Sequence, residues 1–489
     1  MGRGDPLRGR DRRTVASQRV RRRTGRRQGR SSGADGGGRG DPRGAARGVP
    51  RRTRHHPPVR TRRHAAAGRR LLRPHLPEPG PGPAQARAGQ VAMRRVAVVG
   101  VGQLPFRSRY PADRFDELAM MAAKRALADA GLVAGDVTSA VYSVYSELLI
   151  RQGTPDVMIH DYLGLNGRPG QRVTAGAASG GYAVKTAWAD VASGFSDVVL
   201  CLGVQKALDV DDPETGQRAD AALEAESMTL DTTWHLPFSQ QPWALLLTAH
   251  MDKFGGPTEE QIARVAVKNR ANAVRNPNAH LRRPVTVEEV LDSRLTNWPT
   301  TMFESCLYGE AASAVVLVAE ELVRPEQRPV WITGVGTCHH NSTDEMSADD
   351  AGRVWPLYGA SRQAYRMAGV TDPRTELDVV ELNDLVAGLE LMSYAELGLC
   401  APGEGGALID EGFTAFDGPL PVNPSGGRIG AGHIAGVSGI YSTGEIVQQL
   451  RGEAGERQVP IRAGRGLACM VGGAGLGLGA AIVLERDGR

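Results

Sequence analysis

One local pattern occurs twice in this 489-residue chain. A β-branched strand runs into a turn built of glycine, alanine and serine, and that turn opens a long amphipathic helix. The first turn reads Val173-Thr174-Ala175-Gly176-Ala177-Ala178-Ser179-Gly180-Gly181, and the second runs from Gly426 through Gly432-His433-Ile434 to Gly439. Glycines this dense let a backbone bend sharply and press close to a ligand. Strands alternating with helices predict an α/β protein with mainly parallel sheets covered on both faces. The repetition predicts two duplicated halves. Each turn sits at a helix N-terminus, where free N–H groups and the positive dipole end suit an oxyanion or a phosphate. Symmetry directs both turns to one cleft.

The pattern assigns the elements. In the first half, Arg95–Val99 is a strand, Asp113 caps a helix from Phe115 to Ala130, and Gly131 ends it. Val184, Ala187, Trp188 and Val191 mark the core face of the helix after the Ala177 turn. Val198–Leu202 and Ala314–Ala319 are further strands. The second half has strands at Val330–Val335, Leu377–Leu382, Leu467–Val471 and Leu478–Glu485, with helices from Leu385 to Leu397 and from the His433 turn to Leu450. Residues 93–325 then form one half and 326–489 the other. A helical insertion at about 205–300 contains a helix over Pro242–Phe254 and a capping box at Thr258-Glu259-Glu260-Gln261. It is placed to cover a substrate.

Charge divides the chain differently. Residues 1–92 carry 25 arginines, no lysine and five acidic residues, a net +20; the rest has 34 basic and 49 acidic residues, a net −15. The basic segment is Arg, Gly, Pro and Ala, which cannot bury enough apolar surface to fold, so disorder is expected. Met93, directly before a strand, reads as the true start. A transit peptide or an RNA-binding arm is the competing reading of the tail. The acidic body argues against nucleic acid as a partner. Five scattered cysteines offer neither a disulfide framework nor zinc spacing, which fits a reducing cytoplasm. No metal is expected, Cys338-His339-His340 included. The uncharged run from Gly466 to Leu484 contains six glycines and reads as two strands rather than a membrane span.

His433 lies inside a Gly-rich turn rather than on an apolar helix face, so it reads as a site residue. Asn383 follows a strand and is either a site residue or a helix cap. Cys469 is either an acid/base or a small buried thiol. Cys306 reads as structural. Tyr308 and Tyr394 are candidate acids, and Gly100-Val101-Gly102 is a weak dinucleotide fingerprint because Pro105 stands where its third glycine belongs.

In their order and separations these motifs resemble the thiolase superfamily, in particular its sterol-carrier and lipid-transfer branch, over residues 93–489. Thiolases carry a nucleophilic cysteine in a Cys-x-Ser-Gly turn, then Asn-Glu-Ala-Phe, Gly-His-Pro and a final Cys-x-Gly. Ala177-Ala178-Ser179-Gly180 matches the first with alanine in the nucleophile's place. Asn383-Asp384-Leu385-Val386 matches the second, Gly432-His433-Ile434 the third without its proline, and Cys469-Met470-Val471-Gly472-Gly473 the fourth. The resemblance implies a layered αβαβα thiolase fold and acetyl-CoA acetyltransferase-like chemistry on coenzyme A thioesters, with no bound cofactor.

It implies roles residue by residue. His433 and a water held by Asn383 form one oxyanion hole, and the backbone N–H groups of Ala177 and Val471 form the other. Cys469 moves the proton, while Ser179, Gly432 and Gly472 contact substrate. Without a thiolate at position 177 the acyl-enzyme of ordinary thiolases cannot form. The resemblance then implies non-covalent retro-aldol or Claisen-type chemistry on a lipid, steroid or other acyl-CoA. A homodimer and a small partner of OB-fold and zinc-ribbon type are implied as well. The alternative is a non-catalytic acyl-CoA- or lipid-binding subunit.

Overall fold

The computed structural model describes residues 93–211, 241–340, 351–472 and 477–487. The Arg-rich segment before Met93, residues 212–240 of the insertion, and Gly473 to Leu476 of the last motif lie outside the described residues.

The strands in chain order are β1 (Val96–Gln103), β2 (Ser139–Ser143), β3 (Gly170–Arg172), β4 (Val198–Gln205), the short pair β5 (Leu295–Asn297) and β6 (Thr300–Thr301), β7 (Ala311–Ala319), β8 (Val330–His339), β9 (Val379–Glu381), β10 (Arg465–Gly472) and β11 (Leu478–Glu485). Nine of them join in the order β3-β2-β4-β7-β1-β8-β11-β10-β9. This order is a duplication made visible. From the centre outward, β1-β7-β4-β2 and β8-β11-β10-β9 repeat the same polarities: antiparallel, antiparallel, then parallel. The halves meet where β1 pairs antiparallel with β8. The sheet is therefore mixed, not mainly parallel as the strand–helix alternation suggests. The reason is that β11 follows β10 directly in the chain as its antiparallel neighbour, and β7, reached only after the helical insertion, likewise runs antiparallel to β4.

Packing repeats too. The Gly-x-Gly of β1, Gly100 and Gly102, lets the carbonyls of Ala126 and Ala122 in helix Phe115–Asp129 lie directly on the strand. In β8, Gly334 and Gly336 do the same for Ala364 and Ala360 of helix Trp355–Ala368. Any Cβ at these four positions would collide with helix backbone. The apparent dinucleotide fingerprint is thus a helix-on-strand packing device. The start of the first helix also differs from the sequence reading. Its cap is Arg114, whose N–H donates to Glu117 at 2.8 Å, while the Asp113 N–H closes a turn on the Tyr110 carbonyl.

Between β4 and β7 run helices Gln241–Phe254 and Glu259–Val274, the second opened by the Thr258–Gln261 capping box. Leu247 and Ile262 from these helices enter the same core as Leu382, Leu389, Leu467 and Cys469. The insertion is therefore bound into the second half. Among the described residues no helix is long and apolar enough to cross a membrane.

Candidate active site

The two Gly/Ala/Ser turns lead into helices Ser179–Ala192 and Ser438–Arg451, and the N-termini of these helices touch backbone to backbone. A Cβ on Gly180 would stand 2.7 Å from the Ile440 nitrogen, and one on Gly439 would stand 2.6 Å from the Gly181 nitrogen. Only glycine permits so close an approach. Two helix N-termini side by side concentrate positive potential at one end of the sheet.

Each turn is held by the serine that starts its helix. Ser179 Oγ accepts from the Ala175 N–H at 2.7 Å and donates to the Gly176 carbonyl at 2.6 Å. Ser438 Oγ accepts from the Ile434 N–H at 3.1 Å. Ser179 is fully buried, so its hydroxyl shapes the turn.

The end of β10 comes against the first turn. A Cβ on Gly472 would fall 2.6 Å from the Ala177 nitrogen and 2.5 Å from that of Ala178, so the missing side chain keeps these amides clear. One residue earlier, the Val471 carbonyl accepts from Asn383 Nδ2 at 3.4 Å. Asn383 is buried, and its Oδ1 has no hydrogen-bond partner among the described residues.

His433 is fixed from the other side. Segment 305–309 passes both motifs: Ser305 bridges Val386, the Cys306 N–H donates to the Leu385 carbonyl at 3.0 Å, and Tyr308 bridges His433. The His433 N–H donates to the Leu307 carbonyl at 3.1 Å. The Tyr308 ring meets the imidazole edge-to-face with centroids 5.3 Å apart. The imidazole is fully buried. Its Nδ1 lies 3.1 Å from Ser438 Oγ, and its Nε2 has no partner among the described residues. Burial, with a smaller push from the Arg428 guanidinium, lowers its pKa to about 3, so the ring is neutral at physiological pH.

A buried polar layer ties the second and third motifs together. The Asp384 carboxylate accepts from the Arg428 and Ile429 N–H groups at the start of helix Gly427–Ala431, and from Asn269 Nδ2 at 2.8 Å. The acidic neighbour of Asn383 therefore anchors the segment that delivers His433. Glu390 accepts from Asn269 and Asn423, both at 2.8 Å, and pairs with Lys268 at 2.7 Å. Burial raises the pKa values of Glu381 and Asp384 to about 7, aided by repulsion from Glu445 and Glu390 respectively.

The other sequence candidates fall elsewhere. Cys469 lies mid-strand in β10, opposite Ala481, with its side chain in the second-half core; burial pushes its thiol up. No hydrogen bond links it to His433 among the described residues. The Tyr394 hydroxyl is spent on Glu390 and on Thr414 at 3.0 Å. Gly432, at φ +118°, lies under the Phe106 ring, which leaves no room for a Cβ. Cys306 is half-buried near Asp384, and its thiol is pushed up to about 12 by burial. Two features escaped the sequence reading. One is Ser438 as the partner of His433, signalled only by its place five residues on at the helix start. The other is the fully buried Arg428, whose guanidinium lies 3.5 Å from Glu381 and faces Phe106 and Tyr441.

Comparison with known proteins adds the following. The family description "Thiolase, N-terminal domain" matches residues 96–297, and "Thiolase C-terminal domain-like" matches 336–486. An acetyl-CoA acetyltransferase of Methanothermobacter thermautotrophicus is 34% identical over 386 residues, covering 78% of this chain and 97% of that protein. Sterol carrier protein 2 of Oryctolagus cuniculus is 31% identical over 382 residues, covering 75% of this chain and 68% of that one. Among solved structures, an "Ltp2-ChsH2(DUF35) aldolase" superposes with a TM-score of 0.66 at 25% identity, covering 82% of this chain and all of that one.

Proposed function

Because the chain belongs to the thiolase superfamily and is an enzyme acting on acyl-CoA, we propose that it makes or breaks a carbon–carbon bond next to the thioester without an acyl-enzyme. The reading rests on one juxtaposition. Ala177 supplies no nucleophile, while two buried polar atoms at the site, His433 Nε2 and Asn383 Oδ1, have no partner among the described residues. Buried polar atoms are normally paired, and an unpaired one in a native site calls for a ligand or a water.

The favoured direction is retro-aldol cleavage of a β-hydroxyacyl-CoA. The hydroxyl proton leaves, the Cα–Cβ bond breaks, a carbonyl product departs, and the electron pair moves onto the thioester as an enolate. Protonation at Cα completes the exchange with no net gain or loss of protons. His433 donates to the enolate oxygen from Nε2. Asn383 Oδ1 holds a water whose second hydrogen points to the same oxygen. Each well-aimed donor contributes about 2.7–4 kcal/mol to such a transition state. The Ala177 amide, kept clear by Gly472, is a further donor. Tyr308, against the His433 ring and with its pKa raised well above 10 by burial, stays protonated across the assay range, supplies the proton to Cα and regains, through solvent, the proton that the hydroxyl released. Cys469 carries no step in this scheme.

The aldolase neighbour assembles with a DUF35 protein, which supports a small acyl-CoA-binding partner of OB-fold and zinc-ribbon type here too. The test is purification with co-expressed partner, incubation with β-hydroxyacyl-CoA substrates, and intact-mass analysis during turnover. Release of a carbonyl product and a shortened acyl-CoA, with no mass added to the protein, supports the reading. A stable acyl adduct on Cys306 or Cys469 refutes the non-covalent route.

A further inference from the structure

An imidazole that donates to an oxyanion must carry its proton on the nitrogen that faces the substrate, and its other nitrogen must then be an acceptor. In this protein the second nitrogen, Nδ1, faces the Ser438 hydroxyl at 3.1 Å. A hydroxyl has one proton to give and two lone pairs with which to accept. One lone pair of Ser438 Oγ is taken by the Ile434 N–H at 3.1 Å. Its single proton has two acceptors within reach: His433 Nδ1, and the Ile434 carbonyl at 3.0 Å.

The surrounding backbone decides between them. The Ile434 carbonyl already accepts from the Val437 N–H at 3.2 Å and the Ser438 N–H at 3.1 Å, so both of its lone pairs are engaged. Among the described residues Nδ1 has only the serine. The first turn provides the contrast. There, among the described residues, the Gly176 carbonyl accepts a single backbone N–H, from Ser179 at 3.1 Å, and no imidazole competes, so the Ser179 hydroxyl donates to that carbonyl. The same serine device serves one turn as a structural clasp and is free in the other to face a histidine.

We propose that Ser438 is a positioning residue that donates to His433 Nδ1 and so holds the imidazole as its Nε2–H tautomer, with the donor directed at the substrate. The catalytic meaning of this assignment rests on the oxyanion reading of His433, whereas the tautomer is a property of the protein without substrate. The two can therefore fail separately.

The experiment is ring nitrogen NMR on protein labelled with 15N-histidine, the His433 signals being identified by their loss in His433→Gln. We expect a protonated Nε2 and an unprotonated, hydrogen-bonded Nδ1 in the wild type. Ser438→Ala should shift population toward the Nδ1–H form and remove the hydrogen-bond shift at Nδ1, and Ser438→Thr should restore both. In turnover, Ser438→Ala should lower kcat by at least tenfold, toward the roughly 10²–10³-fold that loss of a hole donor costs, with KM little changed. A wild-type spectrum with the proton on Nδ1 overturns the proposal even if Ser438→Ala does not fold. An unchanged Nδ1 signal in Ser438→Ala overturns it as well. The expected tautomer without any β-hydroxyacyl-CoA cleavage leaves Ser438 in place and removes the retro-aldol reading instead.

Discussion

Replacing Gly439 with alanine perturbs the contact that brings the two turns together. The new Cβ would lie 2.6 Å from the Gly181 nitrogen and 2.9 Å from the Gly180 carbonyl carbon, about 0.8 Å short of ordinary van der Waals contact at the tighter of the two. Both obstacles are backbone, so no side chain can swing aside. Overpacking of this kind costs about 1–3 kcal/mol. Alanine's better helix propensity offsets at most about 1 kcal/mol, and less so close to a helix start. The helices must therefore separate by a large fraction of an ångström, carrying the Ala177 and His433 turns apart. A displacement near 1 Å between catalytic groups costs on the order of 10²-fold in rate. Denaturant unfolding and steady-state turnover read the two effects separately. Gly153→Ala, where nothing lies within 4 Å of the added Cβ, is the control. If Gly439→Ala unfolds within 0.5 kcal/mol of wild type (roughly the spread of neutral surface substitutions) and keeps wild-type kcat, close approach of the helices does not set the site.

Other substitutions probe the remaining parts. His433→Ala should lower kcat by about 10²–10³-fold with little change in KM, measured on the acyl-CoA cleavage reaction. Ala177→Cys places a thiol at a helix N-terminus, where thiolates are favoured; incubation with acyl-CoA should add one acyl mass at residue 177, seen by peptide mapping. On acidification an unfolded histidine binds a proton near pH 6.5, but folded His433 refuses it until about pH 3. Stability should therefore fall as the pH drops through that window, by up to about 5 kcal/mol from this residue, and His433→Gln should flatten the slope in denaturant titrations from pH 7 to 4. Glu381 acts in the opposite sense. Its raised pKa means the folded state keeps a proton that the unfolded chain has lost, so stability declines as pH rises from about 4.5 to about 7. Glu381→Gln should remove the part of that decline that Glu381 contributes, leaving that of Asp384, without altering the acid limb.

The sequence alone determined whatever depends on local pattern. The duplication was legible because each half repeats strand, small-residue turn and amphipathic helix, and the bounds of β11 and the start of helix Glu259–Val274 follow from a hydrophobic run and a capping box. His433 and Asn383 stand out in the sequence as candidates because polar side chains inside glycine-rich or post-strand turns have few structural duties. Only the tertiary structure decided what depends on partners distant in the chain. Strand polarity is one case, since a run of apolar residues reads the same in either direction and β7 and β11 betray their antiparallel pairing only when neighbours are known. Gly100-Val101-Gly102 is another: the spacing fits a phosphate loop equally well, and only the carbonyls of Ala122 and Ala126 lying on it show why the glycines are there. Asp384 is a third, because its partners, Arg428 and Ile429, stand more than forty residues away. The burial that keeps His433 neutral is the last. Periodicity marks a side chain as polar or apolar, whereas its proton affinity is set by the water that the whole fold excludes.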